Sequence, residues 1–145
     1  MKQTNQAGVD LIKDAEGCKL RTYICPAGIK TIGVGHTGPD VKLGMTITRD
    51  RAAELLANDL RKFEVGVAQL CPVTTDNQFA SLVSFAFNLG LDKLRVSTLR
   101  KMHNAGDYAG AQGQFKRWRF AKGVPLPGLV VRRAKEASLY GSADK

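Results

Sequence analysis

Glu16 is the first side chain whose setting invites chemistry. It closes an amphipathic run from about Thr4, sharing a face with Val9 and Ile12 at i, i+3, i+7. The C-terminal end of a helix carries the negative pole of its dipole. Together with partial burial, that pole favours the neutral acid. A carboxylic acid still protonated near neutral pH is what protonation of a leaving oxygen requires. The plain alternative is a solvated glutamate at a fraying helix end. Cys18, Cys25 and Cys71 are the other reactive side chains, with His36 and His103 the only histidines. An odd number of cysteines implies no disulfide framework, and their spacing is not that of a zinc site. No metal and no cofactor is expected.

The elements that must hold these residues can be read from the pattern. Gly17 stands where a left-handed cap would end the first helix. Short β segments follow, Lys19–Ile24 and Ile29–Val34, joined at Cys25-Pro26-Ala27-Gly28, which has the composition of a type I turn. Folding there brings Cys25 and Thr31 together. A long helix starts near Thr48, with Ala52, Leu56, Leu60, Phe63, Val67 and Leu70 on one face, and stops at Pro72. Thr75 and Gln78 have capping-box spacing for a helix apolar nearly all round, closed by Gly90. Further helices are expected near 96–104, 107–121 and 128–140. The class is α+β, mainly helical. One domain over 1–145 is expected, with a small lobe at about 14–47, a linking helix at about 48–70, and a helical lobe at about 72–141 joined by the N-terminal helix. A cleft between lobes would suit a polymer.

The chain has 145 residues, and 22 Lys and Arg against 13 Asp and Glu give +9. Such a charge favours a polyanionic partner without choosing among nucleic acid, anionic lipid and cell wall. Nucleic-acid readers concentrate cations on one element or interleave them with exposed aromatics. Here they are scattered in short pairs such as Arg100-Lys101, Lys116-Arg117 and Arg132-Arg133, so nucleic acid is not the expected partner. The segment MKQTNQAGVD has no apolar core of a signal peptide, and no run approaches the ~18 apolar residues that span a bilayer. A monomer held in the cytoplasm, without stable membrane insertion, is the expectation.

Around Glu16 the sequence resembles the phage-type lysozymes, glycoside hydrolase family 24. Their pattern is a catalytic Glu, eight residues, Asp or Cys, five residues, then Thr; Glu16, Cys25 and Thr31 match it within EGCKLRTYICPAGIKTIGVGHTG. The likeness continues through NQFASLVSFAFNLG, STLRKMHNAGD and FKRWRFAKGVPLPGLVVRRAKEASLY, from about Val9 to Tyr140. It implies a lysozyme-like fold and an endolysin acting on peptidoglycan. The bond cut would be the β-1,4 link between N-acetylmuramic acid and N-acetylglucosamine. Glu16 would be the general acid. Cys25 would activate or orient the attacking water, which Thr31 holds by its hydroxyl. Attack from the face opposite Glu16 would invert the anomeric centre and needs the two groups about 6.5–9.5 Å apart. By the same likeness Asp59 pairs with His36 to lock the small lobe. Asn88 lines the cleft as a ligand for N-acetyl groups, and the Arg133 guanidinium approaches the catalytic Glu. Asn88 reads equally as a residue ending its helix before Gly90. Trp118 is expected in the core of the larger lobe.

Cys25 leaves two versions open. An unshifted thiol is only about 3% thiolate at pH 7. Either a neighbouring cation makes it a thiolate base, or it is a weak acceptor that positions water with Thr31. Oxidation linking Cys18 to Cys25, a pairing the sequence leaves open, would disable the site. Two rival functions also stand: a lytic transglycosylase using Glu16 alone, and a non-catalytic wall-binding module. Family biology together with the N-terminus implies dependence on a separate membrane-permeabilising protein, a holin, before the wall is reached.

Overall fold

The computed structural model describes residues 2–121 and 123–144. The chain divides into two compact units: one is Ile12–Arg61, the other the chain up to Leu11 and from Lys62 onward.

In the unit Ile12–Arg61, helix α1 (Gln6–Glu16) ends at Gly17. Its amide reaches back to the Lys13 carbonyl at 2.8 Å and its φ is +76°, the left-handed cap the sequence predicts. Strands β1 (Lys19–Ile24) and β2 (Lys30–Gly33) then pair antiparallel, with Tyr23 opposite Thr31 and Ile24 opposite Lys30. The Gly28 amide closes the turn on the Cys25 carbonyl at 2.8 Å. The stretch after β2 returns as an irregular edge: Thr22 N–H donates to Met45 O at 3.0 Å and Ile47 N–H to Leu20 O at 2.8 Å. Ile32, Val41 and Leu55 form the small core beneath, with Met45 and Ile47 packed on it. Helix α2 (Arg49–Leu70) opens with the Thr48 hydroxyl accepting from the Arg51 amide at 3.0 Å.

The other unit is built on α3 (Asp76–Leu89). Its capping box forms as expected, Thr75 accepting from the Gln78 amide while the Gln78 side chain accepts from the Thr75 amide. Residues 78–86 are all buried, so every face of α3 meets protein. Gly8 allows the start of α1 to lie directly on it. A Cβ there would sit 2.6 Å from the Ala80 Cβ, so only glycine permits this approach.

After α3 the expectations need correction. A short helix α4 (Leu91–Val96), not anticipated, precedes α5 (Thr98–Asn104), which matches the stretch expected near 96–104. Ser97 separates them, its hydroxyl capping the Arg100 amide at 3.1 Å. The helix expected over 107–121 is only α6 (Tyr108–Gln114), tightening into a 3₁₀ turn at Phe115–Trp118. Gly110 and Gly113 weaken it, and Phe115 turns inward against Phe85 and Tyr140. A hairpin of β3 (Phe120–Ala121) and β4 (Val124–Pro125), absent from the sequence reading, follows. Helix α7 (Pro127–Tyr140) then starts on proline at its first turn and packs on α3. Trp118 meets Phe85 edge-on at 5.4 Å but is half-exposed, so it borders the core.

Candidate active site

The β1–β2 turn builds the first half of the site. Its type I geometry puts Cys25 at the end of β1 and turns the Ile29 amide back toward the Cys25 sulfur. Hydrogen bonding from Ile29 lowers the thiol pKa; partial burial opposes this, and the Ala27 amide, the Thr31 hydroxyl and the Cys25 amide add to the lowering. The charge of the thiolate is therefore met by oriented N–H and O–H dipoles, not by the neighbouring cation that the sequence reading invoked. Thr31 is 3% exposed. Its single hydroxyl proton can go to the Ile29 carbonyl, 2.9 Å away, or to the Cys25 sulfur, and its lone pairs accept from a third group.

Glu16 is half-buried in the same unit. The turn after β2 comes against it. Ile32 and His36 exchange backbone hydrogen bonds at 2.9 Å in both directions, folding Gly33, Val34 and Gly35 into a tight loop. Gly35 has φ +68°, and a Cβ built on it would stand 3.2 Å from Glu16 Oε1. Glycine is required there twice over, by backbone conformation and by the carboxylate lying on it.

Tyr23 is a residue the sequence reading missed. It stands opposite Thr31 in the register. Its phenol is held above its ordinary pKa, first by burial, then by the negative charges of Cys25 and Glu16. The ring thus feels both candidate catalytic groups. The signal was available: Tyr23 and Cys25 are two positions apart, and alternation along β1 puts both on one face.

His36 is placed as expected and better supported than expected. Nδ1 lies 2.7 Å from Asp59 Oδ2, and Nε2 lies 2.9 Å from Asp40 Oδ2. A carboxylate on each ring nitrogen calls for a proton on both, which is the imidazolium. Burial lowers the His36 pKa, but the hydrogen bonds to Asp59 and Asp40 and their charges raise it further, for a net rise. Asp40 is correspondingly held low by its hydrogen bond to His36. Both nitrogens are committed, so His36 fastens β2 to α2 and has none left for a reaction.

Asn88 and Arg133 come together in the other unit. Arg133 Nη2 donates to Asn88 Oδ1 at 2.6 Å. The guanidinium is only 1% exposed, lies over the Phe85 ring at 5.3 Å and meets Glu136 Oε1 at 3.0 Å. Glu136 is itself wholly buried and accepts from the Ser84 hydroxyl at 2.6 Å. Arg133 is thus a buried brace. It fixes the Asn88 amide with its oxygen occupied, leaving the Nδ2 donors to meet a carbonyl acceptor. Cys71 is buried, with its thiol pushed up to about 11 by burial. Cys18 and Cys25 flank extended β1 at its two ends, about 23 Å apart at ~3.3 Å per residue, so a bridge between them cannot form in the folded chain.

Comparison with known proteins gives the family. A family model described as phage lysozyme matches residues 13–136. The endolysin of Bacillus phage PZA is 43% identical over 97% of this chain, which spans 55% of that relative's length. Among solved structures, the endolysin from Escherichia coli O157:H7 phage FAHEc1 is 39% identical with TM-score 0.90, covering 96% of this chain and 93% of that one. The muramidase domain of SpmX from Asticaccaulis excentricus is 33% identical with TM-score 0.91, covering 99% and 100%. With that family model matched over residues 13–136 and relatives of this identity aligned over nearly its whole length, the chain belongs to the phage lysozyme family.

Proposed function

We propose that the chain is a muramidase, hydrolysing the β-1,4 bond between N-acetylmuramic acid and N-acetylglucosamine in bacterial peptidoglycan. Glu16 gives its proton to the glycosidic oxygen as the bond to the anomeric carbon breaks. Water accepts a hydrogen bond from Thr31 or donates to it, and donates to the Cys25 sulfur, whose anionic form takes the departing proton. Water then adds from the face opposite Glu16, so the product is inverted. The Asn88 Nδ2 donors suit the carbonyl of an N-acetyl group, with Arg133 holding the amide. In this reading both units belong to one catalytic domain, acting as a monomer without a cofactor. Access to the wall depends on a holin.

The observation that carries the reading is the Cys25–Thr31 turn, where a thiol held low by dipoles faces a hydroxyl in the same unit as Glu16. The test is digestion of purified peptidoglycan followed by mass spectrometry and NMR of the released sugars. Reducing ends with inverted anomeric configuration are expected. Glu16→Gln should abolish them, a loss of at least about 100-fold for a missing general acid. Products ending in 1,6-anhydro sugars would replace hydrolysis with transglycosylation, and full activity of Glu16→Gln would remove the mechanism.

A further inference from the structure

The hairpin β3–β4 and the start of α7 carry apolar surface that the fold does not use. Phe120 is 47% exposed, Val124 58% and Leu126 42%, and Val130 and Val131 continue the apolar surface along α7. The pairing Phe120 with Pro125 and Ala121 with Val124 puts the first pair on one face of the ribbon and the second on the other. Apolar side chains therefore leave both faces of the ribbon. A protein partner docking on one side would cover half of them. A lipid phase surrounds such a wedge on all sides.

The charge around the wedge has the matching sign. From Tyr108 to Val131 the sequence has four Lys and Arg and no Asp or Glu, and Arg132 and Arg133 beyond it are buried against Glu136. Lys116 and Arg117 are exposed on the 3₁₀ turn, and the Arg119 guanidinium lies 5.2 Å over the Phe120 ring. These three cations and Phe120 line a cavity of 330 Å³ beside the hairpin, wide enough for a phosphodiester head group. Apolar and aromatic side chains flanked by cations are the features of a peripheral membrane anchor.

We propose that the β3–β4 hairpin is a lipid-inserting wedge that docks the protein reversibly on anionic phospholipid bilayers. Phe120, Val124 and Leu126 enter the head-group boundary while Lys116, Arg117 and Arg119 hold the phosphates. The inference is independent of the glycosidase chemistry, since none of these residues belongs to the candidate active site.

The test is co-sedimentation of the full chain with vesicles of phosphatidylethanolamine and phosphatidylglycerol at 3:1, against phosphatidylcholine alone, in 0.15 M salt. Trp118, the single tryptophan and two residues from Phe120, reports insertion by a blue shift and by quenching with brominated acyl chains. Binding to the anionic vesicles only is expected, with quenching. The double variant Phe120→Ser, Val124→Ser should lose at least tenfold in binding and all quenching, while digestion of purified wall and the melting temperature stay as in the parent. Lys116→Ala with Arg117→Ala should weaken binding about 25-fold, at roughly fivefold per cation. Failure of the parent to bind anionic vesicles would overturn the proposal. So would undiminished binding of the Phe120→Ser, Val124→Ser variant, which would reduce the contact to plain surface charge.

Discussion

In the proposed mechanism Cys25 acts through the dipoles that the turn aims at its sulfur, so its replacements should sort by charge rather than by size. An aspartate there brings its own anion and should keep substantial lytic activity. Serine has the volume of the thiol without an accessible anion, and Cys25→Ser should lose about 100-fold in kcat, the span of a missing proton acceptor. Turbidity loss of permeabilised cells measures both, and equal activity of Cys25→Ser and the parent would reduce Cys25 to a packing residue. Gly35 offers a second prediction. Alanine there meets both a left-handed backbone and the Glu16 carboxylate at 3.2 Å. Gly35→Ala should cost about 1–2 kcal/mol of stability and a larger factor in kcat than in KM, because what it moves is the acid.

At the level of elements, His36 ties β2 to α2 through Asp59 and reaches Asp40 across the intervening loop. Replacing Asp59 by Asn keeps a hydrogen bond but removes one charge, so the His36 pKa should fall, as an NMR titration of the ring would show. Bonds to charged groups exceed neutral ones by about 1 kcal/mol, and thermal unfolding near pH 6 should register a loss of that order. A His36 titration unmoved by Asp59→Asn would contradict the tie. Helix-on-helix contact gives an independent test at Gly8. Its Cβ position is filled by Ala80, so Gly8→Ala should destabilise by about 1–3 kcal/mol through overpacking, even though alanine is the better helix former.

Over the whole molecule the two histidines titrate in opposite senses. His36 is raised in the folded state, so its stabilisation is complete below the unfolded value of about 6.5 and fades as pH rises through the folded one. His103 is buried, its Nε2 2.7 Å from the Val73 carbonyl and its Nδ1 2.6 Å from the Tyr140 hydroxyl. A carbonyl only accepts, so Nε2 carries the proton and Nδ1 takes the phenol's. Burial lowers the His103 pKa, with the Val73 bond working the other way. Its stabilisation is therefore complete above about 6.5 and lost as pH falls through the folded value. Stability should thus peak near pH ~6.5, falling on the alkaline side through His36 and on the acid side through His103. Melting curves across pH 5–8 measure the peak, and Asp59→Asn should flatten the alkaline limb alone. A parent curve that rises steadily through this range would refute the opposition.

Much of this chain could be read before it was folded, wherever the determinants are local. Turn residues, capping boxes and a 3.6-residue period act within a few positions. Lys19–Ile24, the Cys25–Gly28 turn, the Thr75–Gln78 cap and the buried face of α3 were therefore legible, and the family resemblance around Glu16 to Thr31 singled out the candidate groups. What needed the tertiary structure was set by residues distant in sequence. The Ile29 amide and the Thr31 hydroxyl, not a cation, lower the Cys25 thiol. Asp40 adds a second carboxylate to His36, and Glu136 with Ser84 buries and braces Arg133. The packing of Phe115 breaks the helix expected over 107–121 and frees β3–β4. In each case an electrostatic or packing energy arises only once separate segments meet, and no pattern along the chain encodes that meeting.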